Sequence, residues 1–148
     1  MTEIDWKPFK AIDELTTIDV REPWLVAVEM IRDVTHLRIR ADGIWSPMPG
    51  VLAECEPDGH IALSLPADRL VIPDCPVGAL IGRFGGSSAG YQQSGGDAEK
   101  VKPFPIGKYC IATVPKTVGP LFIGFNSLVR PVRVTRLKIT VEGATPTF

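Results

Sequence analysis

The sequence predicts an all-β protein: an antiparallel, jelly-roll-like β-sandwich with a short N-terminal helical or irregular extension. The chain has 148 residues, 45% of them hydrophobic, so we expect one domain with a sizeable core. Its 14 glycines and 14 prolines are spread along the chain, which favours short strands and tight turns over long helices. Several short segments also alternate apolar and polar residues, which is typical of strands buried on one face.

Residues 1–22 are expected to form the extension, and residues 23–148 the β-sandwich domain. Phe9, Ile12 and Leu15 recur at roughly helical spacing, which predicts a short helix. A helix of this length is marginally stable on its own. We therefore expect the extension to cover a sheet edge or face and to bury its apolar side chains there.

Strand signals recur along the rest of the chain. They predict strands over residues 24–30, 35–40, 61–65, 77–84, 109–114, 121–125 and 134–141. In the last of these, Leu137, Ile139 and Val141 alternate with polar residues and are expected to face the core. Strands 109–114 and 121–125 are expected to pair with each other across the short proline-bounded segment between them.

Turn and loop signals separate the predicted strands. Asp42-Gly43 and Pro57-Asp58-Gly59 are turn sequences, because Asp hydrogen-bonds its own backbone and Gly adopts conformations that other residues avoid. Residues 85–100 are rich in Gly, Ser and Gln, so we expect a surface loop there.

Charge is distributed unevenly, although the net charge is only −1. Residues 1–34 and 35–99 each carry a balance of −4, whereas residues 100–148 carry +7. An anionic partner is one explanation. Attraction within one chain or between subunits is the other, and we favour it because no Lys/Arg run is interleaved with aromatic residues. We therefore expect a homo-oligomer and no nucleic-acid partner.

The sequence carries no recognisable targeting segment or catalytic motif. The first residues are acidic and unlike a signal peptide, and no stretch is long enough to span a membrane, so we expect a cytoplasmic protein without a membrane partner; export by another route stays open. Cys55, Cys75 and Cys110 form no Cys-x-x-Cys pair and are expected to be buried, reduced thiols. The acid beside Cys75 would raise its thiol pKa. Neither His36 nor His60 lies in a nucleophile–base–acid pattern, so we expect no enzyme.

Four residues are candidates for ligand binding: Trp45, Asn126, Ser127 and Arg130. Trp45 lies in a Gly/Pro-rich segment, where its ring can stack on a sugar or a partner, and a core or anchoring role explains it equally well. Asn126 and Ser127 follow an apolar strand, where they suit sugar hydroxyls and are also ordinary turn residues. Arg130 offers guanidinium donors to a carboxylate, a sulfate or an acidic group of a partner.

Three short motifs lie in the predicted sandwich. They read Gly43-Ile44-Trp45-Ser46, Gly78-Ala79-Leu80-Ile81-Gly82-Arg83-Phe84-Gly85 and Gly119-Pro120-Leu121-Phe122-Ile123-Gly124-Phe125-Asn126-Ser127. In these motifs, residues 34–141 resemble the small calcium-dependent galactose-binding lectins of bacteria (the LecA or PA-I type) and related galactose-binding-like β-sandwich domains. The corresponding family segments read Gly-Trp-Ala-Ser-Tyr, Gly-Ala-Leu-hydrophobic-x-Ile-Gly and Gly-x-Leu-x-Leu-x-hydrophobic-Asn-Asp. The resemblance implies a jelly-roll-like sandwich that often assembles into oligomers.

The resemblance also implies a calcium site, and the sequence departs from it. The family holds calcium with the Asp of Asn-Asp, a following Thr, an Asn-Asn-Ser-Gly loop and a main-chain carbonyl. Here Ser127 stands in place of that Asp, and residues 128–133 lack both asparagines and contribute Arg130 and Arg133. Calcium prefers several hard, anionic oxygens, and guanidinium groups repel it. We therefore expect no calcium and no other cofactor.

These observations lead to two candidate functions. The first is a non-catalytic, lectin-like carbohydrate-binding domain that is calcium-independent or has an altered ligand, with a saccharide or an acidic ligand as its partner. The alternative is a structural or assembly protein that uses the β-sandwich for oligomerisation or protein–protein contacts.

Overall fold

The computed structural model describes residues 4–12, 24–31, 33–46, 54–60, 66–85, 102–114, 120–127 and 133–145. The strands there are β1 (Lys7–Ile12), β2 (Leu25–Val28), β3 (His36–Ser46), β4 (Leu80–Phe84), β5 (Phe104–Pro105), β6 (Tyr109–Thr113), β7 (Leu121–Phe125) and β8 (Arg133–Ala144). The only helical element in these ranges is one 3-10 turn, Ala67–Arg69. The all-β prediction is confirmed, and no helix of the described residues is long and apolar enough to cross a membrane.

The strands form two antiparallel four-stranded sheets that enclose one core. The first sheet has the order β1-β8-β3-β6, and the second has the order β2-β7-β4-β5. Leu37 and Ile139 of the first sheet are completely buried in the same hydrophobic cluster as Leu80 and Leu121 of the second. Apolar side chains from facing sides of two sheets are what a sandwich requires.

The pairing of β3 with β8 is the longest in the structure. It runs from His36 opposite Ala144 to Ser46 opposite Arg133, with one register shift next to Trp45. The predicted inward face of β8 is confirmed, because no more than 1% of the surface of Leu137, Ile139 or Val141 is exposed.

The turn predicted at Asp42-Gly43 is wrong, because β3 continues through both residues. Asp42 lies opposite Lys138, and Gly43 lies opposite Leu137. A Cβ atom on Gly43 would collide with the main-chain carbonyl of Arg136 on β8. The glycine therefore permits a close approach of two backbones, and cross-strand pairing overrides its local turn propensity.

The predicted pairing of strands 109–114 and 121–125 is also wrong. β6 pairs with β3 in the first sheet, whereas β7 pairs with β2 and β4 in the second. The chain therefore crosses between the sheets after β6. The physical reason is that β7 is buried at every position, which requires neighbours on both edges and cover on both faces.

Residues 7–12 of the N-terminal segment form a strand and not part of the expected helix. β1 pairs with the outer edge of β8, with a register shift between Pro8 and Lys10. Phe9 packs against the core cluster and lies over Gly143, where a side chain on β8 would occupy the same space. Edge pairing satisfies the backbone of this segment better than an isolated helical turn would.

Trp6 holds the start of β1 against the outer face of the first sheet. Its ring lies 4.8 Å from the guanidinium carbon of Arg38. Arg38 in turn donates two hydrogen bonds of 3.0 Å to the carboxylate of Glu142 on β8. For residues 4–12, this arrangement agrees with the hypothesis that the N-terminal segment covers a sheet edge or face. The domain boundary at residue 22 stays a prediction.

The outer face of the second sheet buries a charged side chain. Arg83 of β4 is completely buried, with its guanidinium carbon 4.6 Å from the Trp24 ring centroid and 5.0 Å from that of Phe122. Its Nε donates to the carbonyl of Gly85 at 3.1 Å. Burial lowers the pKa of Arg83 to about 10, so the guanidinium remains charged at neutral pH and is stabilised by the aromatic rings.

Four expectations fall wholly or partly on residues outside the described ranges. These are the part of the N-terminal extension from residue 13 to 22, which includes Leu15, the predicted strand 61–65, all but the first residue of the predicted loop 85–100, and Arg130. The cytoplasmic location also stays a prediction.

We expect Gly143→Ala to lower the free energy of unfolding by about 1–3 kcal/mol, because the new methyl group displaces the Phe9 ring. Urea denaturation measures this change. In a Phe9→Ala background the same substitution should cost much less, and equal costs in both backgrounds would contradict the contact as the cause.

Candidate functional site

An open depression of about 440 Å³ lies at one end of the sandwich. Residues 54–60 form most of its lining, and Ile44 of β3 contributes an aliphatic side chain. The lining residues are Ile44, Glu54, Cys55, Glu56, Asp58, Gly59 and His60. A volume of this size is in the range of small-molecule sites.

Backbone hydrogen bonds hold the lining segment at both of its ends. The amide of Cys55 donates to the carbonyl of Trp45 at 2.8 Å, and the amide of Trp45 donates back at 3.1 Å. At the other end, the amide of His60 donates to the carbonyl of Val77 at 3.0 Å. The segment is therefore attached to β3 on one side and to the approach to β4 on the other.

A tight turn reverses the segment between these two ends. The amide of Gly59 donates to the carbonyl of Glu56 at 2.9 Å, which confirms the turn predicted at Pro57-Asp58-Gly59. Gly59 has a φ of 86°, a conformation that favours glycine. A Cβ atom there would also lie 2.8 Å from the Cβ of Pro76.

One lysine lies beside the acidic side chains of the depression. Lys108 Nζ is 2.8 Å from a carboxylate oxygen of Glu56, and its amide donates to Asp58 Oδ1 at 3.0 Å. The hydrogen bond to Glu56, together with the charges of Glu56, Asp58 and Asp42, raises the pKa of Lys108. Lys108 thus contacts two of the three acidic residues in the lining, Glu56 and Asp58.

Trp45 lies in β3 and not in a loop, and none of its surface is exposed. Its indole Nε1 donates to the carbonyl of Gly78 at 2.7 Å. Its ring meets Phe125 edge-on, with the centroids 4.6 Å apart. The exposed stacking face expected of Trp45 is therefore not formed. Trp45 alternates in step with the buried Leu37 and Ile39 along β3, so its ring faces the core.

Asn126, the only asparagine in the chain, is also completely buried. Its Oδ1 accepts a hydrogen bond of 2.7 Å from the amide of Ile72. Its Nδ2 donates at 3.0 Å to the carbonyls of Ile72, Cys75 and Pro76. The side-chain amide of Asn126 thus gives the backbone of residues 72–76 hydrogen bonds of the kind that a neighbouring strand would provide.

Ser127 is buried as well, so neither residue of the predicted pair has an exposed polar group for a ligand. Trp45 and Asn126 both hydrogen-bond to the backbone of Gly78. The carbonyl of Gly78 accepts a hydrogen bond from the indole of Trp45, and its amide donates one of 2.9 Å to the main-chain carbonyl of Asn126. Trp45 and Asn126 support the wall of the depression from behind and do not line it.

Sequence reasoning missed the residues that line the depression. The available signal was Glu54-x-Glu56-x-Asp58, three acids at alternate positions ahead of His60. The pattern places like-charged side chains on one side of an extended segment. Within this segment, only the turn at Pro57-Asp58-Gly59 is predicted from the sequence.

All three cysteines are free thiols with raised pKa values. Burial, with a contribution from Glu56, raises the pKa of Cys55 to about 12. The direction predicted for Cys75 is confirmed, although burial is the larger cause and Asp74 the smaller. Burial also raises the pKa of Cys110. Thiols that stay protonated are poor nucleophiles.

No group of three or more His, Cys, Asp or Glu side chains in the described ranges is placed to hold a metal ion. No protein-family model matches the chain, and no curated protein matches it. The resemblance to galactose-binding lectins therefore stays a prediction, as does the expectation that calcium is not bound.

We expect Asn126→Asp to lower the free energy of unfolding by about 3 kcal/mol, because a buried carboxylate would face three carbonyl oxygens. Chemical denaturation measures the loss. Thr145→Ala is a matched control that removes one exposed hydrogen bond, to the Asp33 carbonyl, and should cost far less. Similar losses in the two variants would contradict the anchoring role of Asn126.

Alkylation in the native state should leave Cys55 unmodified. A rise in pKa from 9.0 to about 12 lowers its thiolate fraction about 1,000-fold at neutral pH. Mass spectrometry identifies the labelled cysteines, with unfolded protein as the control. Equal labelling of Cys55 in both states would refute the assignment.

The raised pKa of Cys55 also makes the stability of the fold depend on pH. Because only the unfolded thiol ionises near pH 9, the stabilisation from Cys55 is full below that pH and is lost as the pH rises toward 12.

Proposed function

We propose that the protein is a non-catalytic, lectin-like carbohydrate-binding domain whose ligand occupies the depression lined by residues 54–60. The observation that carries the proposal is the combination of three carboxylate side chains, an imidazole and an aliphatic side chain around one open cavity of about 440 Å³. The ligand-binding residues would then be the lining residues, with Trp45 and Asn126 as their supports.

The chemistry of the lining suits a polyhydroxylated ligand. Ionised carboxylates accept several hydrogen bonds each, and sugar hydroxyls are donors. Ile44 offers an aliphatic surface of the kind that packs against the C–H groups of a sugar ring. The pairing of Glu56 with Lys108 orients one carboxylate at the rim and provides a cation that can donate to a sugar oxygen.

The charge of the lining favours neutral sugars and amino sugars over acidic ones. Glu54, Glu56 and Asp58 are acidic lining residues, so a ligand carboxylate would meet like charge there, and a ligand ammonium group would meet opposite charge. The acidic ligand expected from Arg130 stays a separate prediction, because that residue lies outside the described ranges.

We also propose that binding needs neither calcium nor a catalytic step. The ammonium group of Lys108 lies within 2.8 Å of Glu56 and would oppose a divalent cation at that carboxylate. Cys55 is the nucleophilic side chain of the lining, and its raised pKa keeps it protonated. Both features favour reversible recognition over chemistry.

Calorimetric titration with glucosamine, galactose and glucuronate, each with calcium and with a chelator, tests the proposal. We expect glucosamine and galactose to bind with and without calcium, and glucuronate to bind most weakly. The double variant Glu54→Gln, Glu56→Gln should weaken binding about tenfold or more, because hydrogen bonds to charged acceptors are stronger than those to amides.

Glu29→Gln is the matched control, since Glu29 is an exposed carboxylate outside the depression. Its affinity should equal that of the unmodified protein. Failure of all three sugars to bind would refute the carbohydrate assignment. Binding that requires calcium would refute the calcium-independent mode, and an equal loss in the Glu29→Gln variant would place the site elsewhere.

A further inference from the structure

The edge strand β6 exposes large apolar side chains. β6 is the last strand of the first sheet, and its only strand partner in the described ranges is β3. Tyr109 is 54% exposed and Ile111 is 51% exposed, and Thr113 on the same face is exposed as well. These are the most exposed large hydrophobic side chains in the described part of the chain.

The main chain of the same three residues also points away from the sheet. The amide of Ala41 donates to the carbonyl of Lys108 at 2.9 Å, and the amide of Val114 donates to the carbonyl of Thr35 at 2.8 Å. Polar groups on an antiparallel strand alternate between its two sides. Cys110 and Ala112 therefore face β3, and the N–H and C=O groups of Tyr109, Ile111 and Thr113 face the open edge.

β6 lacks the features that usually protect an edge strand. The segment Tyr109–Thr113 contains no charged residue and no proline. Its register with β3 is continuous over all five residues, without a bulge. Natural edges that must not pair usually carry a charge, a proline or a bulge, so an unprotected edge indicates a partner strand.

We propose that this edge is a dimer interface, in which β6 of a second copy of the chain pairs antiparallel with β6 of the first. The two-fold axis passes beside Ile111, which then lies opposite Ile111 of the second copy. In this register Tyr109 lies opposite the second copy's Thr113. Each of the three outward-facing residues then exchanges two hydrogen bonds, so that six backbone hydrogen bonds join the sheets.

The self-complementarity of β6 favours a second copy as the partner strand. Ile opposite Ile and Tyr opposite Thr are favourable cross-strand pairs, and the pairing juxtaposes no charges within the strand. A register moved by two residues would leave one outward-facing residue of each copy without a partner. The register centred on Ile111 is therefore the one in which the backbone groups of all three outward-facing residues find hydrogen-bond partners.

The basic residues behind β6 do not prevent this pairing. Arg38 and Arg40 lie on β3, one strand away from the edge. The two β3 strands of the dimer would be three strand spacings apart, about 14 Å, which exceeds the screening length of about 8 Å at physiological salt. Arg38 is also neutralised by Glu142.

The dimer would carry its two depressions at opposite ends of the joined edge. Lys108 directly precedes β6, and its side chain pairs with Glu56 in the lining. Because the two β6 strands run antiparallel, this end of one copy lies beside the Thr113 end of the other. The interface is independent of what the depressions bind, and it would present them as a bivalent pair.

Sedimentation velocity of the full chain, from micromolar to millimolar concentration, tests the interface. Since only five residues of each copy pair, we expect a weak dimer whose fraction rises with concentration. Ile111→Lys and Ile111→Glu should each raise the dimer dissociation constant about tenfold, because each places like charges opposite each other across the axis. An equimolar mixture of the two variants should dimerise again, since Lys then faces Glu.

Val26→Lys is the matched control, because Val26 is 41% exposed on β2, an edge strand of the second sheet. It should dimerise like the unmodified protein, and circular dichroism should show the same fold in every variant. An unmodified protein that stays monomeric throughout would overturn the proposal and leave the edge to a different partner. Failure of the mixture to dimerise, or an equal loss in Val26→Lys, would overturn it too.

Discussion

Hydrogen bonds that converge on Gly78 join the two sheets at one end of the sandwich. Its carbonyl accepts the indole N–H of Trp45 from the first sheet, and its amide donates to the carbonyl of Asn126 at the end of the second. The φ of 77° at Gly78 favours glycine. Since Trp45 and Asn126 are both completely buried, loss of either bond would leave a polar group without water or a partner. The position of the depression depends on this connection.

The lining of the depression is attached to the same connection on both sides. Cys55 pairs with the backbone of Trp45, and His60 pairs with the backbone of Val77, directly before Gly78. The buried residues are therefore rigid supports, whereas Glu54, Glu56 and Asp58 lie exposed to solvent in the lining of the depression. This division explains why the residues with the strongest sequence signals are not those at the surface of the site.

The crossing of the chain between sheets determines what is exposed elsewhere. Because β6 joins the first sheet and β7 the second, β7 is enclosed and β6 is left at an edge. Cys110, on the inward side of β6, packs against the core, whereas Tyr109 and Ile111 on the outward side are exposed. The depression at one end and the unprotected edge at the side involve different residues, so the function proposed for the one is compatible with the interface proposed for the other.

The class of fold and the inward face of the regular strands follow from the pattern of apolar and polar residues. Alternation at Leu137, Ile139 and Val141 was sufficient because burial on one face imposes a period of two. Other features depend on contacts between segments that are distant in sequence. β1 is a strand because it pairs with the edge of β8, and Asp42-Gly43 continue β3 because β8 extends beside them. Tertiary structure also decided the site, since the burial of Trp45 and Asn126 and the exposure of three acids depend on contacts between residues distant in sequence.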